Sequence, residues 1–249
     1  MIRNFKRTAA IFGIVAATST ALVACNDSND SGSDNAEGSS DAAETTEVSG
    51  DLSGEGASSQ KSAMSVFEKA FLGEYPDANF SYTSSGSGAG VKAFNGGTVD
   101  FAGSDSPLKE DKGEIETAKE RCGGNDAWHL PTTIGPVAIA YNLGDTEVNI
   151  STDSLAKIFK GEITKWNDDA LKAENEGTDL PDKDITVIFR SDESGTSDNF
   201  QKFLKSATGN WDSEGKQFPD AVGEGANGSS GVADQVASID GAITYVESG

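Results

Sequence analysis

Arg190, Ser194, Gly195 and Thr196 stand close together in Arg190-Ser191-Asp192-Glu193-Ser194-Gly195-Thr196. The run Ile185-Thr186-Val187-Ile188-Phe189 before them is built from good strand formers. After them, Phe200, Phe203 and Leu204 recur at helical spacing, which predicts a helix burying those three on one face. The spacing therefore places Ser194 or Thr196 at a helix N-terminus, where backbone N–H groups are free and the helix dipole favours an anion. A guanidinium arriving from the preceding strand, beside a ring of N–H and hydroxyl donors, makes a site for a tetrahedral oxyanion. Alone, the stretch suits equally well a surface arginine followed by an ordinary serine cap.

Similar chemistry recurs along the chain. Ser58 and Ser59 precede a helical pattern carrying Met64, Phe67 and Phe71. Ser87 lies in the glycine-rich Ser84-Ser85-Gly86-Ser87-Gly88-Ala89-Gly90, where backbone can approach a ligand and a short helix begins. The nucleotide-type phosphate loop is absent, because its GxxxxGK[ST] spacing is missing. Asp105 ends a strand-like segment, Val99 to Asp105, just before Ser106-Pro107. A carboxylate repels a bare oxyanion, yet it accepts a hydrogen bond from one that carries a proton. A site built on one such bond rejects the analogue lacking it by roughly 10⁴–10⁵, enough to separate phosphate from sulfate. Locally, Asp105 is also an ordinary turn aspartate. His129 has no serine or cysteine nucleophile motif near it and reads as structural, in a segment that looks like strand, turn and buried strand through Asn142.

The elements that must position these groups alternate strand with helix, which predicts an α/β fold with mostly parallel strands and a ligand at their carboxyl ends. From Leu143 the pattern restarts. Ser151 or Thr152 caps a helix with Leu155, Ile158 and Phe159, Gly161 ends it, and Trp166 reads as core. Asn210-Trp211 falls in a loop, and Gly228 to Val236 resembles another turn into a helix.

The chain has 249 residues and a formal net charge of −22. That balance argues against nucleic acid, whose phosphates need a basic surface. Residues 1–24 read as a signal peptide, with Arg3, Lys6 and Arg7 ahead of an apolar stretch too short and too weakly apolar for a membrane span. The stretch ends in Leu22-Val23-Ala24-Cys25, which resembles a bacterial lipoprotein cleavage box with Cys25 as the lipidated residue. More than one acyl chain there gives a stable anchor. Residues 25–50 read as a disordered acidic tether. Together these features predict a folded part on the extracytoplasmic face of the cell membrane. Cys122 is then left as a free thiol or as the partner of a cysteine beyond residue 249. The closing Gly241 to Gly249 reads as a strand with nothing after it, so the chain is expected to be a fragment.

In this order, several segments resemble the PstS family, the substrate-binding lipoprotein of the bacterial high-affinity phosphate ABC importer. They are Gly86 to Lys92, Thr98 to Leu108, Pro131 to Gly135, Ile158 to Trp166, and Arg190 with Ser194-Gly195-Thr196. The resemblance implies a two-domain hinged fold of the periplasmic-binding-protein-like kind (type II). Domain I runs over 51–142, domain II over 143–243, and 244–249 starts a return to domain I, which is left incomplete. It implies phosphate held by Arg190, by Ser194, Gly195 and Thr196, and by Ser58, Ser59 and Ser87, with Asp105 accepting the phosphate proton. The family usually has Thr-Phe where Ser58 and Ser59 stand. Permease subunits are the implied partners, and no catalytic residue, cofactor or metal is expected. The competing readings are an exported hydrolase or phosphatase with a serine nucleophile, which lacks a G-x-S-x-G elbow here, and the same fold holding sulfate or molybdate.

Overall fold

The computed structural model describes residues 48–248. Signal, Cys25 and most of the tether lie outside the described residues. The described part falls in one compact unit, 46–249, and carries two sheets.

The first sheet is all parallel, in the order β2-β1-β3. Its strands are β1 (Gly50–Gly56), β2 (Ala78–Ser84) and β3 (Phe101–Gly103). A 3₁₀ turn, Ser58–Gln60, and helix α1 (Lys61–Glu74) connect β1 to β2, and α2 (Ser87–Asn95) connects β2 to β3. Short parallel strands need such crossovers. A parallel sheet is ordinarily covered on both faces, but here one flank is open. A cavity of about 870 Å³ runs along it, lined by Met64, Phe94 and Phe101 and by the loop that carries Trp128, Leu130 and Ile134. All three loop residues are exposed. The open flank agrees with the expectation of an incomplete first domain.

Helix α3 (Glu114–Arg121) follows, with half-buried, free Cys122 as its C-cap. The second sheet has the order β4-β7-β5-β6. Its members are β4 (Val137–Tyr141), β5 (Thr186–Arg190), β6 (Glu224–Ala226) and β7 (Ala242–Glu247). β5 pairs in parallel with β6 and β7, whereas β4 runs antiparallel to β7, from Val137 opposite Glu247 to Tyr141 opposite Ile243. Thus 137–141, on the first-domain side of the boundary expected at residue 142, is hydrogen-bonded into the second sheet.

The second sheet holds the main core. Helices α6 (Gly195–Thr208) and α7 (Gly228–Ser238) pack on it, α4 (Thr152–Lys160) packs on α6, and α5 (Asp169–Glu174) adds Leu171 to the same core. Phe159, Phe200, Phe218 and Tyr245 form an aromatic cluster, with Phe200 and Tyr245 stacked 4.5 Å apart. Ser151 caps α4 by accepting from the Ser154 N–H at 3.2 Å, and Gly161 ends the helix in a left-handed conformation. Trp166 is fully buried and donates its indole N–H to the Gly241 carbonyl at 2.9 Å.

Two local expectations fail. Residues 129–136 form no strand and are exposed, and the strand that follows, β4, is a half-buried edge. Pro131 and Pro136 have no N–H to give a ladder. Phe203 is 48% exposed, while Gln201 is buried beside Phe200 and Leu204. The Gln201 amide donates to the Gly215 and Gln217 carbonyls at 2.8 and 3.0 Å, which makes its burial tolerable.

Candidate anion-binding site

Arg190 is the last residue of β5, and five residues later α6 begins. The Arg190 side chain is almost wholly buried. Asp192 holds it in a fork, with Nε donating to Oδ1 at 2.7 Å and Nη2 to Oδ2 at 2.5 Å. Nη1 reaches the Ser229 hydroxyl at 3.4 Å. Burial works to raise the Asp192 pKa, but Arg190 and the Gly228 N–H, which donates to Asp192 at 3.0 Å, hold it below the ordinary value. The guanidinium is aimed by its partner.

Ser194 is the N-cap of α6. Its hydroxyl oxygen accepts from the Ser197 N–H at 3.3 Å, and the Asp198 N–H returns to the Ser194 carbonyl. The Ser194 N–H itself donates to the Lys216 carbonyl at 2.9 Å. Of the donors on Ser194, only the hydroxyl is thus left without a backbone partner. The N–H groups of Gly195 and Thr196, the first two of the helix, have no intrahelical partner.

Three further chain turns converge on α6. A Cβ built on Gly195 would lie 2.7 Å from both Asp105 Cβ and the Ser87 hydroxyl, so α6 presses directly on the first sheet's loops. Ser87 opens α2, is 1% exposed, and accepts from the Asp105 N–H at 3.2 Å. Gly88 donates its N–H to the Glu193 carbonyl at 2.9 Å. The Ser58 and Ser229 hydroxyls meet at 2.8 Å, and the Ser229 N–H donates to Ser58 at 3.1 Å. Ser229 is in the first turn of α7. The N-termini of α2, α6 and α7 and the 3₁₀ turn thus face one small region beside Arg190, an arrangement suited to an anion.

Asp105 sits in this ring. Ser59 donates to its Oδ1 at 2.7 Å and the Gln60 amide does so at 3.3 Å. Its Oδ2 accepts from no side chain or backbone group among the described residues. Burial raises the Asp105 pKa, the two hydrogen bonds oppose that, and the charge of Glu247 adds to the rise. Thr196 donates its hydroxyl to Glu247 Oε2 at 3.0 Å.

Two ion pairs bridge the sheets beside the site. Lys109 pairs with Asp198 at 2.8 Å and Lys216 with Glu114 at 3.0 Å, all four side chains being largely buried. Burial works to raise the Asp198 pKa, yet Lys109 and Lys202 hold it at about 2. His129 is exposed and accepts from the Leu108 N–H at 3.2 Å. Among the described residues, no cluster of His, Cys, Asp and Glu could hold a metal ion.

All eight residues singled out for the ligand therefore lie around one region. Sequence reasoning missed Asp192, Gly228, Ser229, Gln60 and Glu247. Gly228-Ser229 carried the same signal as Gly86-Ser87, a glycine and serine opening a helix. Asp192 was visible only as a neighbour of Arg190, and Glu247 carried no signal.

Two α/β sheets whose helix N-termini close over one buried arginine define a two-lobed binding-protein fold. Residues 41–249 match the model of the PBP superfamily domain, and the chain belongs to that superfamily. It is 43% identical over 247 residues to the phosphate-binding protein PstS2 of Mycobacterium bovis, covering 98% of this chain and 66% of that protein. Among solved structures it resembles a phosphate-binding protein from Stenotrophomonas maltophilia (TM-score 0.63, 27% identity, 79% of this chain and 60% of that one). It also resembles a high-affinity periplasmic phosphate-binding protein solved with phosphate bound (TM-score 0.59, 26% identity, 79% of this chain and 56% of that one). The chain thus spans just under two thirds of the length of the curated relative.

Proposed function

We propose that this chain is the phosphate-capturing part of a receptor for a phosphate ABC importer. One observation carries the reading: a half-buried carboxylate, Asp105, with one oxygen unpaired among the described residues, stands in a ring of anion-favouring donors. A carboxylate makes sense there only if the ligand brings a proton. Hydrogen phosphate does, and sulfate and molybdate do not at neutral pH. Arg190 supplies charge, Gly195 and Thr196 supply N–H groups, and Ser58, Ser59, Ser87 and Ser194 supply hydroxyls. Each charge-assisted hydrogen bond contributes about 1.5–3 kcal/mol. The similar proteins described above, all phosphate-binding proteins, support the same ligand.

In this reading the protein is not an enzyme. The lobe built on the first sheet and the lobe built on the second, which includes 137–141 and β7, close on the ion. A permease then reads the closed form. Residues 1–24 direct export, Cys25 carries the lipid, and the acidic tether to residue 50 holds the receptor off the membrane. Calorimetric titration of the chain with phosphate and with sulfate tests the ligand. Phosphate binding that vanishes in Arg190→Ala is the expected result. Equal heat from sulfate refutes the proton-acceptor role. Metabolic labelling with a radioactive fatty acid, lost in Cys25→Ala, tests the anchor.

A further inference from the structure

Gln201 is fully buried, and its hydrogen bonds single out the loop after α6. The amide nitrogen holds the Gly215 and Gln217 carbonyls, and the carbonyl between them, that of Lys216, accepts from the Ser194 N–H at 2.9 Å. Three successive loop residues are thereby tied to α6 and its cap. The Lys216 side chain leaves this fixed point buried and reaches the other lobe, where Nζ donates to Glu114 Oε1 at 3.0 Å and to Oε2 at 3.2 Å. Glu114 opens α3, which packs on α2. Its Oε2 also accepts from the Lys109 N–H at 2.8 Å. The Lys109 ammonium then crosses back to Asp198, in the first turn of α6. Each pair joins one lobe to the other. Taking such charges out of water is costly and is offset only while the partners touch. Asp198 has a second cation, Lys202, from its own helix. Lys216 and Glu114 have no other ionic partner among the described residues.

We propose that Lys216–Glu114, with Lys109–Asp198 beside it, is a latch that keeps the lobes shut on the ion and so sets how slowly the ion is released. The latch acts on the same turn of α6 that offers the Gly195 and Thr196 N–H groups, so it seats those donors from the side away from the ligand. All four residues are positioning residues and touch no ligand. With the lobes apart, all four charges return to water at no cost. With the lobes shut, removing one partner leaves the other buried and alone, so the loss falls on the shut form. The inference rests on the phosphate reading above and adds to it what holds the shut form together.

The test compares the full-length wild type with Lys216→Met, Glu114→Gln and the double variant. Calorimetric titration with inorganic phosphate gives affinity. Release of radioactive phosphate into an excess of unlabelled phosphate gives the dissociation rate, and the two together give the association rate. Each single variant should release phosphate about tenfold faster, the pair being largely rather than wholly buried. Association should stay within about threefold of wild type, because the latch forms after encounter. The double variant should lose less than the two single losses combined, since neither charge is then stranded. The two single variants change the net charge in opposite directions. Slower association in Lys216→Met and faster in Glu114→Gln, with release unchanged, would mean long-range steering and overturn the latch. Additive losses, or none, also overturn it and leave the phosphate reading standing. Wild type that binds no phosphate overturns both.

Discussion

Gly195→Ala isolates closure from chemistry. The added Cβ would stand 2.7 Å from Asp105 Cβ and 2.7 Å from the Ser87 hydroxyl, and 3.0 Å from Asp105 Cα. An ordinary contact is about 3.5–4.0 Å, so α6 and the loop carrying Asp105 must separate by roughly 1 Å. Neighbouring bonds cannot follow. The Asn199 amide reaches the Asp105 carbonyl at 2.8 Å and Gly88 reaches Glu193 at 2.9 Å, and both would pass hydrogen-bonding range. Losing two such bonds costs about 1–3 kcal/mol, with a further loss from ligand donors pulled off their positions. Affinity for phosphate therefore falls by roughly 10²-fold. On the proposed hinge, the ligand-free protein relieves the clash by parting its lobes and should not suffer. Alanine is the better helix former and stabilises by about 0.4–1 kcal/mol where its backbone conformation is allowed, as at this first helical position. The assay pairs titration with thermal unfolding in the absence of phosphate. Weakened binding with equal or higher unfolding temperature is predicted. Binding within threefold of wild type would show that the ring around Gly195 does not have to close on the ligand.

Further outcomes follow from the core and the bridging ion pairs. Burial raises the Asp198 pKa and its lysines lower it further, to a net value of about 2 against 3.8 ordinarily. Its stabilisation is therefore complete above about pH 4 and lost as pH falls toward 2, roughly 2 kcal/mol in all. Lys109→Met should remove part of it and move the acid-unfolding midpoint to higher pH, measured by circular dichroism, whereas an unchanged midpoint would contradict the pairing. Leu204→Ala, at a fully buried position in the aromatic cluster's helix, should cost about 2–5 kcal/mol in denaturant unfolding. Tyr245 is buried against the aromatic cluster, and burial pushes its phenol up to about 12. In a spectroscopic titration Tyr245 and Tyr82, whose phenol burial also raises, should therefore ionise only above the ordinary tyrosine range.

The features visible in the sequence were the local ones. A strand ending in Arg190, a serine cap and a helix start are all encoded within a dozen residues, and Ser151 with Gly161 bounded α4 by the same short-range chemistry. Asp105 stood out in the sequence as a carboxylate near anion donors, and the structure brings it against Ser59, Gln60 and Ser87. The long-range partners were not legible. Ser58 and Ser229 are 171 positions apart, and Thr196 and Glu247 meet only because β7 runs beside β5. Phe203 misled because helical spacing does not say how wide the buried stripe is. Gln201 takes the inward place by satisfying its amide with two loop carbonyls. Residues 129–136 misled because their threonines and isoleucine suit a strand, yet no neighbouring strand offers a ladder there.

Asp105→Asn, titrated with phosphate and sulfate beside wild type, tests the central claim most directly. The substitution keeps size and shape, removes the charge, and adds an N–H donor. The account predicts that wild type binds phosphate and ignores sulfate. In the variant, phosphate should weaken by about 1.5–3 kcal/mol, the worth of one charged hydrogen bond, while sulfate binding rises. Unchanged selectivity in the variant would contradict Asp105 as the group that reads the ligand's proton.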